Sequence, residues 1–261
     1  MNLAPLLDQA LLWALVFIRI IMALAVMPVF GYKGVSVTIK VGLAAVISFL
    51  ILPGVKNPAV LHGANSGLIL FIALALPEIV TGILVGMVTH FIFYGVQLSG
   101  QYLGIQIGFG IVSVVDPQTD SRVSIIAQLQ YLFAMLIFLS FNGHHFLLSG
   151  LQRTFHTVPI GGLQLPSELV VVFVKLMGDL FVAGVKIAAP VMAALFLSEV
   201  ALGIVARTVP QMNVFIVGFP LKIGVGLLAL ALSWPLFVYV LELLWGNFQN
   251  DWIRFIGLIG P

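Results

Sequence analysis

The histidines and carboxylates are where catalysis or metal binding would be built, and here they are poorly placed for either. His144 and His145 are adjacent, so on a helix their rings point about 100° apart, a poor geometry for holding one ion. They follow Asn142-Gly143, which suits a wet helix end. His90 is alone in an apolar run, as a hydrogen-bonded packing histidine would be, while His62 and His156 fall in polar connectors. No H-E-x-x-H, G-x-S-x-G or phosphate-loop sequence is present. The absence of cysteine excludes disulfides, thiolate nucleophiles and thiolate metal sites. The expectation is a non-enzyme with no catalytic residue, no metal and no cofactor.

The charges that stand out lie inside apolar sequence. Glu168, Lys175, Asp179 and Lys186 fall within roughly 40° of one line along a helix, with alternating sign. A charge at a bilayer centre costs about 2.5–3.5 kcal/mol even on lenient insertion scales. Lys175 and Asp179 can pair at i,i+4, but such a pair exposed to hydrocarbon remains costly. Three destinations stay open for the stripe: burial as paired charge within this chain's own bundle, contact with neighbouring subunits or a pore, or a proton or ion relay. Glu78, Glu199, Lys222 and Glu242 are also embedded in apolar surroundings and read as fixed partners in helix interfaces.

A third pattern is glycine spacing. Gly82 and Gly86, then Gly100, Gly104 and Gly108, repeat at four-residue intervals, which lets helix backbones approach closely. The second group is interleaved with Gln97, Gln101 and Gln106, whose amides can bond across helices. After it comes Gly108-Phe109-Gly110-Ile111-Val112-Ser113-Val114-Val115-Asp116-Pro117, apolar, glycine-softened, too short to span, and stopped by a turn signal. Non-helical backbone at membrane depth is tolerated only when buried in protein or lining a cavity. Such a segment is either a buried connector or a hydrophobic plug in a pore.

The elements that must carry these residues are long and greasy. Of 261 residues, 61% are hydrophobic and 8% charged, against about 25% charged in soluble domains. The apolar surface must meet lipid or other protein. A net charge of +2 provides no field for nucleic acid. Six apolar runs follow: Leu11 to Phe30; Val41 to Leu52, short enough for a buried or re-entrant segment; Gly67 to about Tyr94; Ile125 to Phe141; Glu168 to Leu197; and Val214 to about Trp245. Between the fourth and fifth, Asn142 to Ser167 is the longest hydrophilic connection. The first run lacks a basic leader and is expected to be a retained helix. No strand alternation is present. The expected fold is all-α: a polytopic hydrophobic helical membrane protein with broken or re-entrant helices. Alternating six runs across a bilayer puts Lys33, Lys40, Arg122 and Arg207 on one side and Lys56, Arg153 and Arg254 on the other, hardly a positive-inside bias.

The stretch Ala206-Arg207-Thr208-Val209-Pro210-Gln211-Met212-Asn213-Val214-Phe215-Ile216-Val217-Gly218-Phe219-Pro220-Leu221-Lys222-Ile223 resembles the signature of the FliR family, to which the SctT proteins of virulence type III secretion are related. Arg19 with Pro28-Val29-Phe30 and Lys40 is similar to that family's first helix and loop. Gly100-x-x-x-Gly104-x-Gln106-x-Gly108 leading to Asp116-Pro117 is similar to its central loop, and Asn142-Gly143-His144-His145 to its mid-chain turn.

The resemblance implies a single export-gate domain over 1–261, with a FliP-like part over about 1–165 followed by a FliQ-like part over about 166–261. It implies assembly with FliP-like and FliQ-like subunits, contact with FlhB and FlhA, unfolded flagellar proteins as the exported substrate, and lipid as a further neighbour. It also implies a place in the flagellar basal body at the bacterial inner membrane, partly raised to the periplasmic side. The central loop of the family forms a plug. Carried over, the plug residues are Gly104, Ile105, Gly108, Phe109, Gly110, Ile111, Val112, Val114, Val115 and Asp116. The candidate subunit-interface residues are Glu168, Lys175, Asp179, Lys186, Glu199, Arg207, Gln211, Asn213 and Lys222. The alternative from the residues alone is a polytopic secondary transporter of a small solute, since broken helices and buried charges also mark transport sites.

Overall fold

In an apolar medium every backbone N–H and C=O must find a partner within its own segment, and only the helix does this for an isolated run. The computed structural model describes residues 4–32, 34–55, 68–109, 124–209, 211 and 213–261. Among them the order is α1 (Ala4–Val26), α2 (Val37–Ile51) running into a 3-10 turn (Leu52–Gly54), α3 (Leu68–Ile107), α4 (Ile125–Ser140), α5 (Gly143–Thr157), α6 (Glu168–Thr208), α7 (Val214–Leu232) and α8 (Trp234–Ile259). No strand occurs among the described residues. Four helices (α1, α2 with its 3-10 turn, α3 and α6) are long and apolar enough to cross a membrane, or up to six spans if each of the bent pairs α4/α5 and α7/α8 counts as one. The polytopic, broken-helix fold is therefore the observed one.

α1 spans Ala4–Val26 rather than Leu11 to Phe30, α6 runs past Leu197 to Thr208, and four other parts of the chain also depart from the sequence expectation. α3 does not stop near Tyr94 but runs on through the glycine-rich stretch to Ile107, 40 residues in all. Its glycines are packing residues: a Cβ on Gly95 would press on the Leu180 carbonyl and Ala183 of α6, and a Cβ on Gly100 would overlap Ala127 of α4. The Asn142–Ser167 connection contains α5. Its buried residues Leu147, Leu151, Thr154 and Phe155 recur at helical spacing, while His145, Ser149, Gln152, Arg153 and His156 are exposed. That stripe was visible in the sequence but was masked by the polar average. α2 is longer than its apolar run and mostly exposed, not buried. The last run is broken, α7 and α8 bending by 54° about Ser233, and α8 continues past Trp245 to Ile259.

The chain forms two compact units, each assembled from separated segments. The first comprises Met1–Phe91, Phe138–Leu176 and Phe248–Pro261; the second comprises Ile92–Ile137 and Met177–Asn247. In the first, α1 buries Leu12, Leu15, Val16, Ile20, Ala23 and Leu24, one stripe at helical spacing. Gly82 and Gly86 of α3 lie so close to it that a Cβ would meet the Arg19 and Ala23 carbonyls. Gly150 of α5 seats the indole of Trp252 from α8 in the same way. In the second, Leu103, Ile107, Ile126, Ala188, Val191 and Leu195 form the core, with Phe109, Ile223, Ala229 and Leu230 packed against it.

Candidate functional site

Two polar constellations interrupt these apolar interiors. The first centres on Arg19, which sits in the middle of the buried stripe of α1 with no solvent exposure, as does Glu78 of α3. The glycine-mediated crossing of α1 and α3 brings them together. Arg19 Nε donates to Glu78 Oε2 at 2.5 Å and Nη2 to Oε1 at 3.0 Å, a fork-on-fork pairing that suits guanidinium and carboxylate. The remaining nitrogen, Nη1, donates to the carbonyls of Thr154 at 3.2 Å and Val158 at 2.9 Å. Those carbonyls stand at the C-terminal end of α5, the negative end of its dipole; that of Thr154 also accepts the Val158 N–H at 2.8 Å, while that of Val158 belongs to the cap residue just past the helix. The guanidinium also lies 4.3 Å from the centre of the Phe155 ring. Glu78 Oε1 in turn accepts the N–H of Gly161 at 3.0 Å. Glu78 is thus the fixed partner expected for it. Sequence reasoning had not paired it with Arg19, because the 59-residue separation is bridged only by the tertiary crossing.

The second constellation is the end of α3 in the second unit. Gly108 has φ +105, a left-handed conformation that glycine adopts without a Cβ penalty. Its N–H donates to the Ile105 carbonyl at 3.1 Å, and the Phe109 N–H donates to the Gly104 carbonyl at 3.0 Å. These two bonds make a Schellman helix end. The apolar contact that accompanies such ends is supplied by Phe109, packed against the cluster that contains Leu103. Two residues before Gly108, Gln106 Nε2 donates to Glu199 Oε1 of α6 at 3.2 Å, and Lys222 Nζ of α7 donates to the same oxygen at 2.7 Å. Glu199 and Lys222 are again fixed partners, as the sequence suggested.

Of the expected plug residues, Gly104 and Ile105 lie inside α3, with Gly104 buried against Ser124 and Ile105 exposed. Gly108 and Phe109 form the helix end just given. Gly110, Ile111, Val112, Val114, Val115 and Asp116 fall outside the described residues. The charged stripe of α6 is exposed at Glu168, Lys175, Asp179 and Lys186 and is not buried in the chain's own bundle. Lys175 does not turn to Asp179; its ammonium bonds the carboxylate of Asp251 on α8, a residue the sequence had not singled out. Arg207, Gln211 and Asn213 are exposed at the turn between α6 and α7. The rings of His144 and His145 stand 4.4 Å apart, yet no group of three or more histidine or acidic side chains able to hold a metal occurs among the described residues.

A polytopic helical membrane protein with a buried charge pair and exposed charge on α6 is the class that the fold and these clusters define. Residues 10–248 match the family described as bacterial export proteins, family 1. The chain is 36% identical over 219 residues to the flagellar biosynthetic protein FliR of Bacillus subtilis (strain 168), covering 83% of each chain. It is 33% identical over 235 residues to FliR of Escherichia coli (strain K12), covering 89% of this chain and 88% of that one. It is 30% identical over 234 residues to FliR of Aquifex aeolicus (strain VF5), covering 90% and 88%. The chain belongs to the FliR family, and that membership gives it a role in the flagellar export apparatus.

Proposed function

We propose that this chain is a core subunit of the flagellar type III protein export gate. With FliP-like and FliQ-like subunits it forms a helical channel for unfolded flagellar proteins, to which it contributes a hydrophobic plug from the Gly104–Asp116 stretch. FlhB and FlhA are its further partners at the gate. The part over about 1–165 is the FliP-like one and the part over about 166–261 the FliQ-like one.

The observation that carries this reading is the surface of α6. At 41 residues its contour is about 60 Å, twice the hydrocarbon thickness of a bilayer. Along it Val170, Val171, Val174, Met177, Phe181, Val182 and Val185 are exposed, interleaved with exposed Glu168, Lys175, Asp179 and Lys186. Lipid accepts such apolar side chains but not the charges; water accepts the charges but not a patch of that size. Sibling helices satisfy both, in a gate seated in the inner membrane and partly raised to the periplasmic side. The Schellman end of α3 supports the plug: it gives the segment after Phe109 a fixed point of departure.

Co-expression with the FliP-like and FliQ-like subunits and mass measurement of the purified complex test the assembly. A deletion within 108–115 tests the plug: ion leakage through an assembled gate is expected. A stable, lipid-surrounded monomer that carries a small solute by itself would refute the reading.

A further inference from the structure

The three polar side chains at the end of α3 are isolated in greasy surroundings. Gln106 is the one polar side chain of the last turn, between Ile105, which is exposed, and Ile107, which is core. Glu199 is flanked by exposed Val200 and buried Ser198, with exposed Phe196 and Leu197 just before it; Lys222 follows exposed Leu221. The carboxylate and ammonium are themselves part-exposed, at 37% and 27%. In water a pair of that exposure contributes little, so an apolar trio would hold these helices at least as well. What the trio supplies is direction. One carboxylate oxygen takes a bond from α3 and a bond from α7 while standing on α6, so three helices are fixed in azimuth at one point. On α3 that point, Gln106, lies two residues before the left-handed Gly108.

We propose that Glu199 is a positioning residue, the shared acceptor that fixes the azimuth of the last turn of α3 and so sets where the chain leaves that helix after Phe109. The consequence for the channel seal rests on the plug reading above; the positioning itself does not. Phe109 has a matching role. Packed against the Leu103–Leu195 cluster, it anchors the root of the segment.

The chain has no cysteine, so a single nitroxide can be placed at will. The experiment uses the co-expressed gate with Ile105→Cys labelled, and Tyr102→Cys one turn earlier as reference; both positions are exposed. In Glu199→Ala the label at 105 is expected to become more mobile than in the wild-type gate, while the label at 102 keeps its own line shape. Glu199→Gln retains an oxygen that accepts both bonds and restores the wild-type line shape at 105. The exchange Glu199→Lys with Lys222→Glu does the same, because the Gln106 carbonyl can accept where its amide had donated. An unchanged line shape at 105 in Glu199→Ala, or failure of both rescues, overturns the proposal. Conductance of the same gates separates the two ideas: a mobile root with wild-type conductance leaves the positioning role standing and removes the plug.

Discussion

Replacing Arg19 by alanine removes the guanidinium from a site with no solvent exposure and leaves the Glu78 carboxylate with a single backbone donor, Gly161 N–H. Breaking a buried pair by deleting one partner costs about 3–5 kcal/mol, and Glu78→Ala should cost the same from the other side. Replacing both with apolar residues of similar volume removes the uncompensated charge and is often neutral. Here it should not be neutral, because the pair also serves the backbone. Arg19 is the donor to the Val158 carbonyl and Glu78 the acceptor for Gly161 N–H. The orphaned, buried Val158 carbonyl at about 1–3 kcal/mol, with a smaller cost for the part-buried Gly161 N–H, puts Arg19→Met with Glu78→Leu about 1–4 kcal/mol below wild type. Arg19→Lys is expected to resemble Arg19→Ala, since one ammonium cannot reach the carboxylate and both carbonyls in the fork geometry. The assay is denaturant-driven unfolding of the purified chain in mild detergent, followed by tryptophan fluorescence and circular dichroism. Single variants within about 1 kcal/mol of wild type would mean that the cluster is not closed to solvent. A double variant as stable as wild type would mean that α5 does not depend on Arg19 for its C-terminal carbonyls.

Other variants probe the same structure independently. Gly82→Val should destabilise the α1/α3 crossing by overpacking, about 1–3 kcal/mol, and reproduce the Arg19 phenotype in the same unfolding assay, since a Cβ there meets the Arg19 carbonyl. Gly150→Ala should cost a similar amount by pushing on the Trp252 ring, seen as a changed fluorescence maximum of the folded state. Gly108→Ala places a Cβ in a left-handed conformation, about 1–2 kcal/mol, and against the Phe219 ring at 3.3 Å, and should destabilise less than Gly108→Val, which adds two methyl groups to that Cβ. Asp179→Lys, on an exposed position of α6, should reduce co-purification with FliP-like and FliQ-like subunits and leave membrane insertion intact; intact complex with lost insertion would count against a protein-facing stripe.

The family, the all-α class and the membrane character were legible without coordinates because each depends on composition or on a local run of residues. Helices in apolar sequence need no tertiary partner to be recognised, since the medium leaves no other way to satisfy the backbone. The phase of the α6 charges was legible too, as it follows from residue spacing on one helix. Averages failed where polarity and structure diverge. The glycine–glutamine stretch at 95–107 is helical, with Gly95 fitted against α6, Gly100 against α4 and Gly104 against Ser124, and α5 hides a stripe of Leu147, Leu151 and Phe155 under a polar surface. What tertiary structure alone decided was pairing. Arg19 finds Glu78 across 59 residues and Gln106 finds Glu199 across 93, and Lys175 passes over Asp179 for Asp251. Sequence fixes which face of a helix a charge occupies, but its partner depends on which helix crosses that face, and that is set by close-packed glycines and the burial of stripes from distant segments.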